Sequence, residues 1–289
     1  MKISMLTTLF PNHSLEDCFH ILSRQGYDGI EIWGARPHAY IFDMDDRKCE
    51  DILRYQEKYG LQVSMYTPEL LSYPYNLVSR DRKERRETVD YLKKGVQAAK
   101  NMGTKRMQIT CGNFGYSTGR RQAWEWLTEG VKEIAEEAEK QRIDLIVEAL
   151  SPCESNMVIR CDDIVELKER VGSARIRAMI DLVTPVLMSE EFSEYFEKLP
   201  GDVDYIHCID SDGATCDHML PGNGVIHFPE VLNTFMDHGY DGWLSGERMT
   251  PWDKSLCAHE YLLRMKKYLR EEKELQAGEK FAVARHPQT

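Results

Sequence analysis

The sequence predicts an α/β protein built as a single (β/α)8 barrel over residues 1–270, and three observations predict it. Short apolar runs rich in β-branched residues alternate eight times with amphipathic stretches. The later runs are apolar on both faces, as parallel strands covered by helices must be. The turn after the first run, Thr7-Thr8-Leu9-Phe10-Pro11, has no glycine, whereas an open doubly wound sheet usually places a glycine-rich turn there. Eight repeats in one chain close most simply into a barrel.

The strands are expected at 2–6, 29–33, 62–67, 106–110, 144–148, 176–181, 204–210 and 242–247. Between them the apolar residues take up helical spacing, as in Leu15, Cys18, Phe19 and Leu22, or Val89, Leu92, Val96 and Ala99. Ser14-Leu15-Glu16-Asp17 reads as a capping-box start for the first helix. The stretch 80–86 mixes arginines with Asp81 and Glu84, which reads as a solvated helix start. A polar tail is expected over 271–289, frayed or packed on a neighbour.

Composition narrows the function. The 289 residues carry 37 Lys and Arg against 48 Asp and Glu, a net charge of −11, which opposes a nucleic-acid partner. No apolar run is long enough for a membrane span, and Met1 leads straight into a strand without a secretory signal. A cytoplasmic protein is therefore expected. The 8 cysteines include no C-x-x-C pair, so reduced thiols are expected rather than a zinc knuckle or a disulfide framework.

Chemistry in such a barrel sits at the C-terminal ends of the strands. Strands five to eight end at Glu148, Asp181, His207 and Glu247, each about one repeat from the next, so four side chains would form an arc around one point. Any one of them could be polar merely because a loop begins there; four in consecutive strands form a pattern. Three carboxylates closing apolar strands need a compensating cation. An oxygen-rich set with one imidazole suits Mn²⁺, Co²⁺ or Mg²⁺, with Zn²⁺ also compatible.

Further segments carry a resemblance. Gly26-Tyr27-Asp28-Gly29-Ile30-Glu31 runs into Ile32-Trp33-Gly34-Ala35-Arg36-Pro37-His38-Ala39; Tyr66-Thr67-Pro68-Glu69 and Tyr73-Pro74-Tyr75-Asn76 follow. Later come Glu154-Ser155-Asn156, Asp210-Ser211-Asp212-Gly213-Ala214, His218 and Pro221-Gly222-Asn223-Gly224. Over about residues 1–269 the chain resembles the xylose-isomerase-like TIM-barrel superfamily of sugar epimerases and isomerases, and looks most like the fructoselysine 3-epimerase family. The Gly-Tyr-Asp-Gly-Ile-Glu segment is common across the superfamily and speaks for the fold only.

The resemblance implies a metal-dependent 3-epimerase of a ketose or ketosamine, of the fructoselysine–psicoselysine type. Glu148, Asp181, His207 and Glu247 match its metal positions, and Glu148 with Glu247 its acid–base pair. Two carboxylates on opposite faces of the sugar would remove and return the C3 proton, while a divalent metal stabilises the enediolate charge. The alternative is that both glutamates only bind metal and Glu154 is the base. Related ketose 3-epimerases have a histidine three residues after the strand-six aspartate, where this chain has Thr184, and an arginine in the strand-seven loop, where His218 lies. Both departures point away from a free ketohexose.

The substrate contacts expected are Trp33, Arg36, His38, Tyr66, Glu69, Glu154, Asn156, Asp210 and His218. Aromatic rings stack on sugar faces, Arg36 could fork to a carboxylate, and Glu69 or Glu154 could pair with a substrate amine; each could equally be a core or surface residue. A small-molecule sugar is the expected partner, with no nucleic acid and no membrane, in a homo-oligomer. Other readings of the same barrel are a ketose isomerase or inosose dehydratase, an endonuclease IV-like nuclease, and a non-catalytic sugar-binding subunit.

Overall fold

The computed structural model describes residues 1–247 and 253–285. Its strands are β1 (Lys2–Met5), β2 (Gly29–Gly34), β3 (Gln62–Pro68), β4 (Arg106–Ile109), β5 (Asp144–Glu148), β6 (Ile176–Asp181), β7 (Val203–His207) and β8 (Trp243–Gly246). All pair in parallel, in the order β1-β8-β7-β6-β5-β4-β3-β2. A parallel bridge between Leu6 and Glu31 joins the two ends, so the sheet is a nearly closed barrel.

The helices alternate with the strands: α1 (Leu15–Gln25), α2 (Asp46–Tyr59), α3 (Arg82–Asn101), α4 (Arg120–Gln141), α5 (Cys161–Val171), α6 (Val183–Met188), α7 (Phe192–Lys198), α8 (Phe228–Asp237) and α9 (Lys254–Arg285). At the start of α1, Asp17 N donates to Ser14 Oγ and Ser14 N donates to Asp17 Oδ2, the reciprocal pair the sequence suggests. Asp81 caps α3 by accepting from Lys83 N. Residues 271–285, expected as part of the polar tail, continue α9; residues 286–289 lie outside the described residues. No helix among the described residues is long and apolar enough to cross a membrane.

Two apolar layers hold the barrel. The larger lies between sheet and helices and buries residues such as Phe19, Leu22, Leu92, Val96, Leu127 and Phe235. The smaller consists of Met65, Ile146, Met179, Tyr205 and Trp243. Side chains two apart on a strand share a face. Ile146 therefore lies beneath Glu148, Met179 beneath Asp181, Tyr205 beneath His207, and Trp243 beneath Glu247 two steps on. The smaller cluster is the floor of the barrel interior, and the polar residues form the layer above it. Gly29 makes room for this floor: a Cβ there would lie 2.6 Å from two carbons of the Trp243 ring and 2.8 Å from Gln62 O.

Strand seven is shorter than the apolar run suggests. Beyond His207 the chain leaves the ladder, and Asp210 pairs antiparallel with Met219. Its buried carboxylate accepts backbone N–H groups from Ser211 and Ile226 on Oδ1, and from Gly222 and Gly224 on Oδ2. These four donors fold the loop that returns His218 to the rim.

The expectation of reduced thiols is corrected at two positions. Cys153 and Cys216 form a disulfide, while Cys18, Cys49, Cys111, Cys161, Cys208 and Cys257 are buried free thiols. The partners are 63 residues apart, in the loops after β5 and β7. Barrel closure brings these loops to one rim, which no spacing rule can register.

Substituting Gly29→Ala should crowd Trp243 and lower stability by about 2 kcal/mol, read by calorimetry as a fall in Tm. An unchanged Tm would mean that the indole can move aside.

Candidate metal centre and active site

Four strand ends meet above the barrel floor. One donor atom from each of Glu148, Asp181, His207 and Glu247 lies within 4.8 Å of the others. His207 is central: its Nδ1 lies 2.9 Å from Glu247 Oε2, 3.3 Å from Glu148 Oε1 and 3.9 Å from Asp181 Oδ2. His218 comes over the top, with Nε2 3.5 Å from Asp181 Oδ2 and Nδ1 3.5 Å from Glu247 Oε2.

The opposite edge of the His207 ring explains its orientation. Nε2 lies 3.2 Å from both oxygens of Glu31, which is wholly buried. Thr67 Oγ1 donates to Glu31 Oε1 at 2.5 Å, and Tyr205 OH donates to Oε2 at 3.1 Å. With three groups converging on it, this carboxylate fixes the imidazole edge. When Nε2–H donates to Glu31, a neutral ring turns the Nδ1 lone pair toward the acids. Only a proton or a metal cation there makes that contact attractive.

Electrostatics say the same. Burial pushes the Glu148 carboxyl up to about 8, against the lowering effect of His207. Burial and the charge of Glu247 hold Asp181 well above the usual carboxylate range. Burial alone would lower His207, but Glu247 and Glu31 overcome it and raise the imidazole well above its ordinary value. His207 Nδ1 is buried without a hydrogen bond of good geometry. Three carboxylates and one aimed nitrogen, backed by a carboxylate behind the ring, fit a divalent cation.

A cavity of about 290 Å³ opens over this group. Of the residues expected at the substrate, Trp33, Glu69, Glu154 and His218 line it. Trp33 Nε1 donates to Glu69 Oε2 at 2.8 Å, and Glu154 Oε2 accepts from Ser151 Oγ at 2.8 Å. The others are placed elsewhere. Arg36 forks to Asp43 on the surface, with Nε 2.6 Å and Nη2 2.7 Å from its two oxygens. His38 is buried against His13 O, and burial lowers its pKa. Tyr66 is a core residue whose hydroxyl donates to Ala39 O. Asn156 braces the rim by exchanging hydrogen bonds with the backbone of Phe114. Asp210 is spent on its own loop.

Two polar residues next to the quartet are absent from the sequence expectations. Gln108 donates from Nε2 to Glu148 Oε2, and Glu31 holds His207. Each is a polar side chain between two apolar strand neighbours, Glu31 between Ile30 and Ile32 and Gln108 between Met107 and Ile109. For Glu31 that signal was present in the sequence, since an acid is almost never fully buried without a partner.

Comparison with known proteins agrees with this geometry. The family model described as xylose isomerase-like TIM barrel matches residues 19–271. Fructoselysine 3-epimerases of Shigella flexneri and Escherichia coli O157:H7 are each 35% identical over 94% of this chain, covering 99% and 100% of their own lengths. An L-ribulose 3-epimerase structure superimposes with a TM-score of 0.84 at 18% identity, covering 99% of both chains. A D-tagatose 3-epimerase-like protein gives 0.83 at 19% identity, over 95% of this chain and 99% of that one. These two establish likeness of fold. By its family model and its full-length similarity to curated epimerases, the chain belongs to the xylose isomerase-like TIM barrel family and is an isomerase.

Proposed function

We propose that the protein is a divalent-metal-dependent 3-epimerase of a ketosamine, acting on a fructoselysine-type sugar. The observation that carries this reading is the buried quartet Glu148, Asp181, His207 and Glu247 beneath the cavity, in a chain with 35% identity to fructoselysine 3-epimerases over nearly their whole length. Manganese is the proposed metal, because three carboxylates with one imidazole form a hard, oxygen-rich donor set.

Epimerisation beside a ketone takes the proton from C3 on one face and returns one on the other. Glu148 and Glu247 stand three strands apart around the rim and share the cavity. One enters the cycle ionised and accepts the C3 proton; the other enters protonated and delivers its own, so their states exchange with each turnover. A divalent cation held by the quartet supplies fixed positive charge for the sugar oxygens that gain negative charge as the proton leaves. Gln108 keeps Glu148 from rotating, Glu31 keeps His207 in register, and Trp33 offers a flat wall to the C–H face of the sugar.

Proton NMR in deuterated water with Mn²⁺ and fructoselysine is expected to show loss of the C3 signal and growth of the epimer. Dehydration of inosose, or formation of an aldose, without C3 epimerisation would replace the reaction. Glu148→Gln and Glu247→Gln should each lower epimerisation by at least about 10³-fold. Residual single-face C3 exchange in one of them would identify the base for that face. Full exchange in both would remove the two-carboxylate mechanism.

Added Mn²⁺ should raise Tm, since a ligand that binds only the folded chain stabilises it. The gain should be lost in Asp181→Asn. Glu31→Gln touches no predicted metal-donor atom, yet it should weaken Mn²⁺ affinity about 10- to 100-fold by releasing the His207 ring. Titration calorimetry reads this; equal affinity would leave Glu31 a role in the fold alone.

A further inference from the structure

The cysteines of this chain fall into two chemical groups. Cys18, Cys49, Cys111, Cys161, Cys208 and Cys257 are buried free thiols. Burial pushes Cys18 and Cys161 up to about 12 and Cys257 up to about 11, so little reactive thiolate forms on them near neutrality. The disulfide partners are placed differently: Cys153 is exposed and Cys216 half-buried, which leaves their bond within reach of a reagent in solution.

The bond also joins two walls of the active site. Cys153 precedes Glu154, which lines both the cavity over the quartet and an adjoining cavity of about 440 Å³ that Cys153 itself lines. Cys216 lies two residues before His218, which lines the first cavity and stands 3.5 Å from carboxylate oxygens of Asp181 and Glu247. Between the parent strands β5 and β7 runs β6, so the link reaches across the end of the strand that carries Asp181. Each loop has its own anchor on a different neighbour. The loop after β5 is braced on the loop after β4, where Asn113 Nδ2 donates to Glu154 O and Ser155 Oγ to Gly112 O, both at 2.7 Å. The loop after β7 is braced on α9, where Arg264 Nη1 donates to Pro221 O at 2.9 Å and to Asn223 Oδ1 at 2.7 Å. Opening the disulfide would leave both anchors in place and free the two walls from one another.

We propose that Cys153 and Cys216 form a reversible redox switch that sets substrate affinity: the disulfide holds the Glu154 and His218 walls together, and the dithiol form lets them part. Opening is exchange with a dithiol reductant. One reductant thiolate attacks a sulfur of the pair and forms a mixed disulfide, with the other cysteine leaving as thiolate; the second reductant thiol then displaces the first cysteine. Two electrons and two protons pass to the pair, which ends as two thiols, and the reductant ends as its own disulfide. Closing is the same exchange run backwards with the oxidised reductant. Once the walls can part, only the fraction of molecules that has them in place binds the sugar at full strength, and apparent affinity falls by that fraction.

The test uses the full chain equilibrated in oxidised or reduced dithiothreitol. Maleimide labelling after denaturation should count six thiols in the first buffer and all eight in the second. Amide hydrogen exchange in 149–158 and 211–220 should quicken on reduction. The KM for fructoselysine, read by C3 exchange with Mn²⁺, should rise about three- to tenfold while kcat changes less than about twofold. The double variant Cys153→Ser, Cys216→Ser should show the high KM in both buffers, which separates the switch from any action of the reagent on the metal or on the other thiols.

A bond with only a structural role would lower Tm on reduction and leave KM alone, and that result would overturn the switch. So would eight thiols in both buffers, or a double variant with the KM of the oxidised wild type. The proposal rests on the epimerase reading for its substrate alone. Absence of C3 exchange in every state would overturn that reading; hydrogen exchange would then decide the switch, faster on reduction upholding it and unchanged refuting it.

Discussion

Burying three carboxylates around one imidazole is the constraint on which the rest of the upper barrel depends. Negative groups this close, almost cut off from water, must take up protons or gather around a cation. Burial raises Glu148 and Asp181, and His207 is driven toward its charged form. The surrounding residues limit the freedom of this group. Gln108 donates to Glu148, Val183 N donates to Asp181 Oδ1 at 2.8 Å, and Glu31 backs the ring of His207. A site held this way loses little order when a cation arrives, and the same rigidity serves the placing of a proton.

The apolar floor makes this arrangement possible. Met65, Ile146, Met179, Tyr205 and Trp243 fill the interior beneath the quartet, which excludes water from below. Tyr205 belongs to both layers: its ring packs in the floor, and its hydroxyl lies 2.9 Å from Ser4 Oγ, 2.8 Å from Ser64 Oγ and 3.1 Å from Glu31 Oε2. The loops then supply what strand ends cannot. Asp210 gathers four backbone donors and so shapes the segment bearing His218. The Cys153–Cys216 bond ties that segment to the loop of Glu154.

The strand ends were legible in the sequence because a polar residue closing an apolar run is a one-dimensional signal, and the repeat spacing orders Glu148, Asp181, His207 and Glu247 around one rim. The boundaries of β5 and β6 were legible for the same reason. The apolar run overstates strand seven because Cys208 and Ile209 are as apolar as the strand before them, and only the backbone donors around Asp210 show where the ladder stops. Loop residues were less legible, since a loop has no period to fix direction. Arg36 and His38 follow β2 directly, yet Asp43 captures one and the core takes the other. Glu31 and Gln108 were hidden among apolar neighbours, where a strand-end rule does not look.

Glu31 occupies two places at once. Its backbone makes the bridge to Leu6 that joins β1 and β2, and its side chain holds His207. The sparsest seam of the barrel and the anchor of the site histidine are thus one residue. Architecture and site geometry cannot drift apart here: a lineage that loosened this seam to reshape the barrel would also disturb the histidine at the centre of the quartet. Solved structures at 18% and 19% identity keep the same barrel.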